Sequence, residues 1–149
     1  MCIRDSFLEP RLDRALGSVG VRLYRLTRGG IARLVKVNVL VLTTRGRRSG
    51  RERTVLLAYF PQGKSFVVVA ANGGQPHHPA WYLNLRASPT ARVEVADRTL
   101  GVAAEELSAA ESTAFWQEIV RTLPGYARYQ QATTRKIPLV RLVPARVGR

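Results

Sequence analysis

Five arginines in nine residues, Arg45, Arg47, Arg48, Arg51 and Arg53, stand against a single acid, Glu52. They belong to the run Thr43 to Thr54 (TTRGRRSGRERT), which lies between two apolar, β-branched stretches and so reads as a loop joining two strands. Guanidinium forks match the oxygens of phosphates and carboxylates. Gly46 and Gly50 allow tight turns and a close approach of backbone N–H groups to an anion, and Ser49 and Thr54 add hydroxyls. The chemistry on offer is a phosphate and carboxylate cradle. The same residues also read as a solvated basic loop, and composition does not choose between the two.

A second patch is Ala70 to Leu85 (AANGGQPHHPAWYLNL). An apolar run ends, Asn72-Gly73-Gly74 turns, and a helix opens near Pro79. Gly73 and Gly74 let backbone N–H groups approach a flat polar ring, and a helix opening favours negative charge. Trp81 and Tyr82 either stack on a ring or fill the core, and core packing is the better reading for such a pair. A third patch, PGYARYQ, sets Tyr126 and Tyr129 three apart on one helix face. His77 and His78 lack partners at metal spacing and read as loop residues, so no metal is expected. There is no G-x-G-x-x-G, no P-loop and no G-x-S-x-G. Ten acids, with Glu105-Glu106 the one close pair, supply carboxylate acid–base chemistry poorly.

The elements that must position these patches fit one domain of 149 residues, 46% hydrophobic, with a net charge of +14. That charge attracts polyanions, but 21 of the 24 basic residues are Arg, a skew that genomic base composition alone produces. Residues 1–53 carry 13 basic and 4 acidic residues, and residues 54–149 carry 11 and 6, so the excess is concentrated toward the arginine loop. The first six residues, MCIRDS, read as a foreign N-terminus, and Cys2 then carries no functional weight. Residues 7–30 form a basic amphipathic helix region with Leu8, Leu12, Leu16, Val19, Leu23 and Leu26 at helical spacing. It packs over the core or lies on an anionic membrane. Strands are expected at Val35–Thr44, Thr54–Phe60, Ser65–Ala71, Ala91–Ala96, Thr99–Glu105 and Ile137–Val143. Turns fall at Pro61–Lys64 and Asp97-Arg98, and Pro138 points to a strand start or an edge. Helices are expected at Pro79–Ala87, Ala109–Leu123, with a Ser108/Glu111 capping box, and Gly125–Thr133. The fold class is mainly β (α+β): residues 31–149 form a six-stranded antiparallel barrel flanked by helices.

The three patches, in this order and spacing, resemble the deazaflavin-dependent nitroreductase family, split β-barrel oxidoreductases that use coenzyme F420. The resemblance runs from about Leu23 to Pro144. It implies that Arg47, Arg48, Ser49, Gly50, Arg53 and Thr54 hold the coenzyme's phosphate and its acidic tail, with Val55 and Leu56 touching it through backbone. It implies that Ala70, Ala71, Asn72, Gly73 and Gly74 border the deazaflavin ring and that Pro79, Trp81, Tyr82, Asn84 and Leu85 complete that wall. Tyr126 and Tyr129 would line the substrate side, and one of them, or water, would supply a proton while the coenzyme gives a hydride to a quinone, enone or nitro compound. A nitroimidazole-activating relative has serine, lysine and tyrosine where this chain has Ala71, Asn72 and Leu123, which argues against that one activity. The expected partner is a small-molecule substrate and not nucleic acid, since no stretch interleaves basic with stacking residues. A homodimer and a peripheral membrane contact through residues 7–28 stay open, and the expected location is the cytoplasm or the inner face of its membrane. The competing readings are a flavin mononucleotide enzyme on the same barrel and a nonenzymatic basic module binding nucleic acid or anionic membrane.

Overall fold

Apolar residues that alternate with period two give each strand one face for the core and one for its cover. The computed structural model describes Val21, Arg22, Arg25, Leu26 and residues 38–145. The expectations for MCIRDS, for most of the amphipathic segment 7–30 and for residues 35–37 lie outside those residues. Seven strands follow in chain order: β1 (Val39–Arg45), β2 (Glu52–Ala58), β3 (Phe60–Gln62), β4 (Ser65–Val69), β5 (Thr90–Val95), β6 (Arg98–Glu106) and β7 (Leu139–Pro144). Within residues 38–145 the helices are α1 (Ala80–Ala87), α2 (Ala109–Thr122) and α3 (Tyr126–Gln131), and Val21, Arg22, Arg25 and Leu26 are also helical. All pairings are antiparallel, in the order β2-β1-β5-β6-β7-β4-β3.

That order places β2 and β3 at opposite ends of the sheet, yet Tyr59 alone separates them in sequence. Two peptide units span at most about 7 Å, so the sheet must curl until its ends meet. The result is a split barrel. The expected strand Thr54–Phe60 is therefore two: Ala58 still pairs with Val39, whereas Phe60 pairs with Val67. This is why there are seven strands and not six, since a change of partner leaves no mark on local alternation. Pro61 sits in the edge strand β3, where its missing N–H costs no ladder bond.

Two smaller expectations shift. The β5–β6 turn is Ala96-Asp97, because Val95 pairs with Arg98, and Ala96 takes the left-handed φ of 55°. Pro138 does precede a strand, but β7 lies between β6 and β4 and is not an edge. The Pro138 carbonyl accepts the Ala70 N–H at 2.9 Å.

Inside the barrel, Leu40, Leu42, Phe66, Val68, Val93, Val102, Val140 and Leu142 pack with Trp81, Tyr82 and Leu85 of α1, which plugs the interior. On the other face of β4 and β7, Val67, Val69 and Leu139 are covered by Ile119 of α2 and by Tyr126 and Tyr129 of α3. Full burial of side chains such as these contributes about 1.5–3 kcal/mol each. The capping box of α2 is formed: Glu111 N–H donates to Ser108 Oγ at 3.2 Å and Ser108 N–H to Glu111 Oε1 at 3.1 Å. Near the N-terminus, Val21 packs on Val41, and Arg25 donates twice to Glu94, at 3.0 and 2.7 Å.

Candidate active site

Gly46 to Arg51 form the β1–β2 connection; Arg45 ends β1, and Arg53 lies in β2 opposite Thr44, so the strand expected from Thr54 begins two residues earlier. Gly46 is buried there, and a Cβ on it would meet Ser49 Oγ at 3.0 Å and the Arg51 carbonyl at 3.1 Å. The loop satisfies much of its own backbone. Gly46 N–H donates to the Arg51 carbonyl at 2.8 Å, Gly50 N–H to the Gly46 carbonyl at 2.8 Å, and Arg51 N–H to Ser49 Oγ at 3.1 Å. Arg47 N–H and its Nη1 donate to Asn84 Oδ1 at 3.1 and 3.3 Å. The N–H groups of Gly46, Arg47, Gly50 and Arg51 are thus committed within the protein.

Which cations are available is settled by the ion pairs. Arg25, Arg92, Arg121 and Arg141 each face a carboxylate. Among the described residues, Arg47, Arg48 and Arg53 face none. A cleft of about 390 Å³ on the β1–β5 side, lined by Thr43, Thr44, Arg45, Gly50, Glu52, Thr90, Ala91 and Arg92, has its Arg92 already paired with Glu52 at 3.1 and 3.3 Å. Other arginines, such as Arg86, Arg98 and Arg128, also face no carboxylate among the described residues, but Arg45, Arg47, Arg48, Arg51 and Arg53 gather theirs within nine residues.

Beside the loop runs β2, which pairs only with β1 among the described residues and leaves its other backbone edge open. Thr54, Val55 and Leu56 lie on this edge strand, with Val55 against the barrel interior and Leu56 against Val21 and Val41. The β3–β4 register, carried back past Tyr59, would set Leu57 opposite Ala70 and Val55 opposite Asn72. That pairing is not made, because β4 stops at Val69 and residues 72–74 turn in a short 3-10 segment. The gap between β2 and the Asn72-Gly73-Gly74 turn is the split.

The structure brings the second and third patches together. Gly74 has φ 81°, and a Cβ there would sit 2.8 Å from Ala132 Cβ and 3.2 Å from the Tyr129 carbonyl, so only glycine permits this approach to α3. Asn72 adopts φ 49° and its Nδ2 donates to the His77 carbonyl at 2.9 Å. Ala70 and Ala71 are buried, as are Pro79, Trp81, Tyr82, Asn84 and Leu85. Trp81, Tyr82 and Leu85 are core residues in their side chains and could border a ring only from behind. Tyr126 and Tyr129 stand edge to face, with ring centroids 5.1 Å apart, and Phe60 meets Tyr126 likewise at 5.7 Å. Burial, with Tyr129 adding to it, pushes the Tyr126 phenol up to about 12.

Helix α1 links the two halves. At its C-terminal end Asn84, 3% exposed, holds the arginine loop and donates to Thr44 Oγ1 at 3.1 Å. At its N-terminal end Tyr82 donates to Glu106 Oε1 at 2.5 Å and packs against the His78 ring at 4.8 Å. Burial first, then the Glu106 bond, pushes the Tyr82 phenol up to about 12.

Four residues here had no site role in the sequence reading: Thr44, His78, read as a loop residue, Glu106, noted only as one of an acid pair, and Arg135. The Arg135 guanidinium donates to the carbonyls of Gln75 (2.9 Å), Ala70 (3.2 Å) and Ala71 (2.8 Å) and lies 3.0 Å from His78 Nδ1. A guanidinium only donates, so His78 Nδ1 accepts and its proton sits on Nε2. Burial and the neighbouring Arg135 and Arg86 hold the His78 imidazole below its usual range. Alternation could have separated the Glu105-Glu106 pair onto two faces, but nothing local marks Arg135.

A family model described as F420H(2)-dependent quinone reductase matches residues 18–144. The chain belongs to that family. An F420H(2)-dependent quinone reductase of Mycobacterium tuberculosis is 33% identical over 138 residues, covering 87% of this chain and 93% of the relative. The structure titled F420-H2 dependent reductase (FDR-A) superimposes with a TM-score of 0.64 at 37% identity, over 70% of this chain and 93% of that one. Another structure, a domain-swapped dimer, gives a TM-score of 0.65 at 37% identity, over 70% and 79%. This F420H(2)-dependent quinone reductase family member is thus a split-barrel oxidoreductase whose cofactor is coenzyme F420. The residues present fit that group: three guanidiniums without carboxylate partners suit its phosphate and acidic tail, and an open strand edge beside them suits backbone contact.

Proposed function

We propose that this protein moves a hydride from reduced coenzyme F420 to a quinone-class acceptor held in the split between β2 and the Asn72-Gly73-Gly74 turn. The observation that carries the reading is the set Arg47, Arg48 and Arg53, gathered at one place and uncompensated by carboxylates among the described residues, with Arg47 anchored to Asn84. When bound, the reduced deazaflavin supplies the hydride. Arg47, Arg48, Arg53, Ser49 and Thr54 hold its phosphate and tail, with Gly50 shaping the turn at its φ of 73°, and the backbone of Val55 and Leu56 meets it along the open edge. Ala70 to Gly74 border the ring, backed by Pro79, Trp81, Tyr82, Asn84 and Leu85. Tyr126 and Tyr129 stand on the substrate side. Tyr126, with its phenol raised to about 12, stays protonated at neutral pH and holds a proton for the reduced quinone.

Three finer points belong to the same reading. The swapped-dimer relative supports a homodimer, which light scattering measures. The enzyme works in the cytoplasm. Leu26, 81% exposed beside Arg22 and Arg25, supports a peripheral contact with an anionic membrane, which co-sedimentation with anionic vesicles measures. Among the described residues no helix is long and apolar enough to cross a membrane.

The central test is a fluorescence titration with F420, with flavin mononucleotide as the competitor. F420 binds at micromolar protein and flavin mononucleotide does not; the reverse result overturns the reading. Arg48→Ala removes one charge-assisted contact worth about 1.5–3 kcal/mol, so F420 binds about 10- to 150-fold more weakly. An unchanged affinity removes Arg48 from the cradle.

A further inference from the structure

The N–H accounting at Arg135 singles this residue out. Its five donors are all turned to neutral acceptors: Nε to the Gln75 carbonyl, Nη2 to the Ala70 and Ala71 carbonyls, and Nη1 to His78 Nδ1 and, at 3.5 Å, to the Lys136 carbonyl. No carboxylate shares the guanidinium among the described residues, unlike the paired arginines elsewhere in the molecule.

The direction of these bonds matters. The Ala70 N–H points to the β7 side, where it meets the Pro138 carbonyl, and the Ala70 carbonyl is taken on that same side by Arg135. In a trans peptide the next N–H points the opposite way. The N–H of Ala71 is therefore turned from β7 toward β2 and the split. The Ala71 carbonyl is also fixed, by Arg135 and by the Gly74 N–H at 2.9 Å, which orients the Asn72 N–H in turn. Immediately after these two peptides the chain enters the left-handed φ of Asn72, 49°. Backbone in such a region persists where its surroundings over-determine it; Asn72 itself is held through the His77 carbonyl and the Gln75 N–H, and Arg135 holds the two peptides that lead into it.

We propose that Arg135 is a positioning residue for the reaction. From the β7 side it clamps the peptides of Ala70 and Ala71, so that the following N–H groups face the ring and acceptor in the split. This deepens the F420 reading and rests on it for the identity of what the split receives, while the clamp itself is a property of the protein alone.

The test uses the full chain with Arg135→Ala and Arg135→Lys. In the apo protein, amide exchange at Gly74 and Gln75, whose N–H groups bond the Ala71 and Asn72 carbonyls, rises at least about tenfold in Arg135→Ala, while that of Val67 in β4 is unchanged. Unchanged exchange at the turn overturns the clamp whether or not F420 binds. With F420 and menadione as acceptor, Arg135→Ala lowers kcat about 100-fold. Its F420 affinity, set by the arginine loop, moves less than about threefold, and millimolar guanidinium restores part of kcat. Arg135→Lys keeps the charge with fewer donors, folds where the alanine variant does not, and falls between. A kcat within about threefold of wild type in both variants overturns the positioning role. A kcat loss matched by an equal loss of F420 affinity overturns it as well. Failure of the wild type to bind F420, with the turn loosened as expected, overturns the F420 reading and leaves the clamp standing.

Discussion

The link between α1 and the arginine loop rests on one amide, and its worth can be worked from the geometry. Asn84 is 3% exposed, accepts twice from Arg47 and donates once to Thr44, itself 2% exposed. Asn84→Ala leaves the buried Thr44 hydroxyl without its partner, at about 1–3 kcal/mol, and the part-buried Arg47 N–H without its own, at about 1 kcal/mol. A total of about 2–4 kcal/mol corresponds to a fall of about 6–12 °C in Tm for a chain of this size. Asn84→Asp has the same shape and keeps both acceptor bonds from Arg47, and the Thr44 hydroxyl can turn to donate. This variant therefore folds, but its carboxylate neutralises Arg47. Removing one charge-assisted contact of about 1.5–3 kcal/mol weakens F420 at least about tenfold, with a shallower salt dependence. Differential scanning calorimetry reads the first effect, and fluorescence titration at two salt concentrations reads the second. A melting point for Asn84→Ala within about 2 °C of wild type would refute the latch. Wild-type affinity in Asn84→Asp would refute its connection to the anion site.

Two further outcomes follow from strain and burial. Ala96, at φ 55° in the β5–β6 turn, pays a left-handed penalty that glycine does not. Ala96→Gly should stabilise the fold by about 0.5–1 kcal/mol net of glycine's entropy, a rise of about 2–3 °C in Tm, and a fall would show that the turn carries no such strain. Tyr82 and Tyr126 are both raised to about 12, chiefly by burial, against about 10 in the unfolded chain. The unfolded state therefore loses its protons first, so this contribution to stability is whole below about pH 10 and lost as pH rises toward 12. Urea midpoints across that range should fall less steeply in Tyr126→Phe and Tyr82→Phe than in wild type; equal slopes would count against the shifts.

Much of the scaffold was readable because its signals are local. Ser108 and Glu111 announce a helix start by their spacing alone, and ARVEVA alternates cleanly enough to fix β5. The arginine run was readable as a loop because apolar strands flank it. What was not readable depends on partners distant in sequence. Tyr59 looks like the interior of one strand, and only the assembled sheet shows that its neighbours pair with different strands. Asn84 lies 40 residues from Thr44 and Arg135 lies 65 from Ala70, so their roles come from the closure of the barrel. Trp81 and Tyr82 read as core from type alone, and they are core. The family likeness placed them at a ring wall, where their burial allows them only to back it.

The single-residue connection at Tyr59 also governs how this slot can be filled. Because β2 and β3 are stitched together through the backbone, the slot is blind at that end and open at the end where Arg47 and Arg48 stand. A flat head group entering from the arginine end would stop at Tyr59, and a flexible tail would be left outside, past the arginines. Adding units to such a tail would lengthen only that outer portion, changing the charge presented to the loop without asking for extra room.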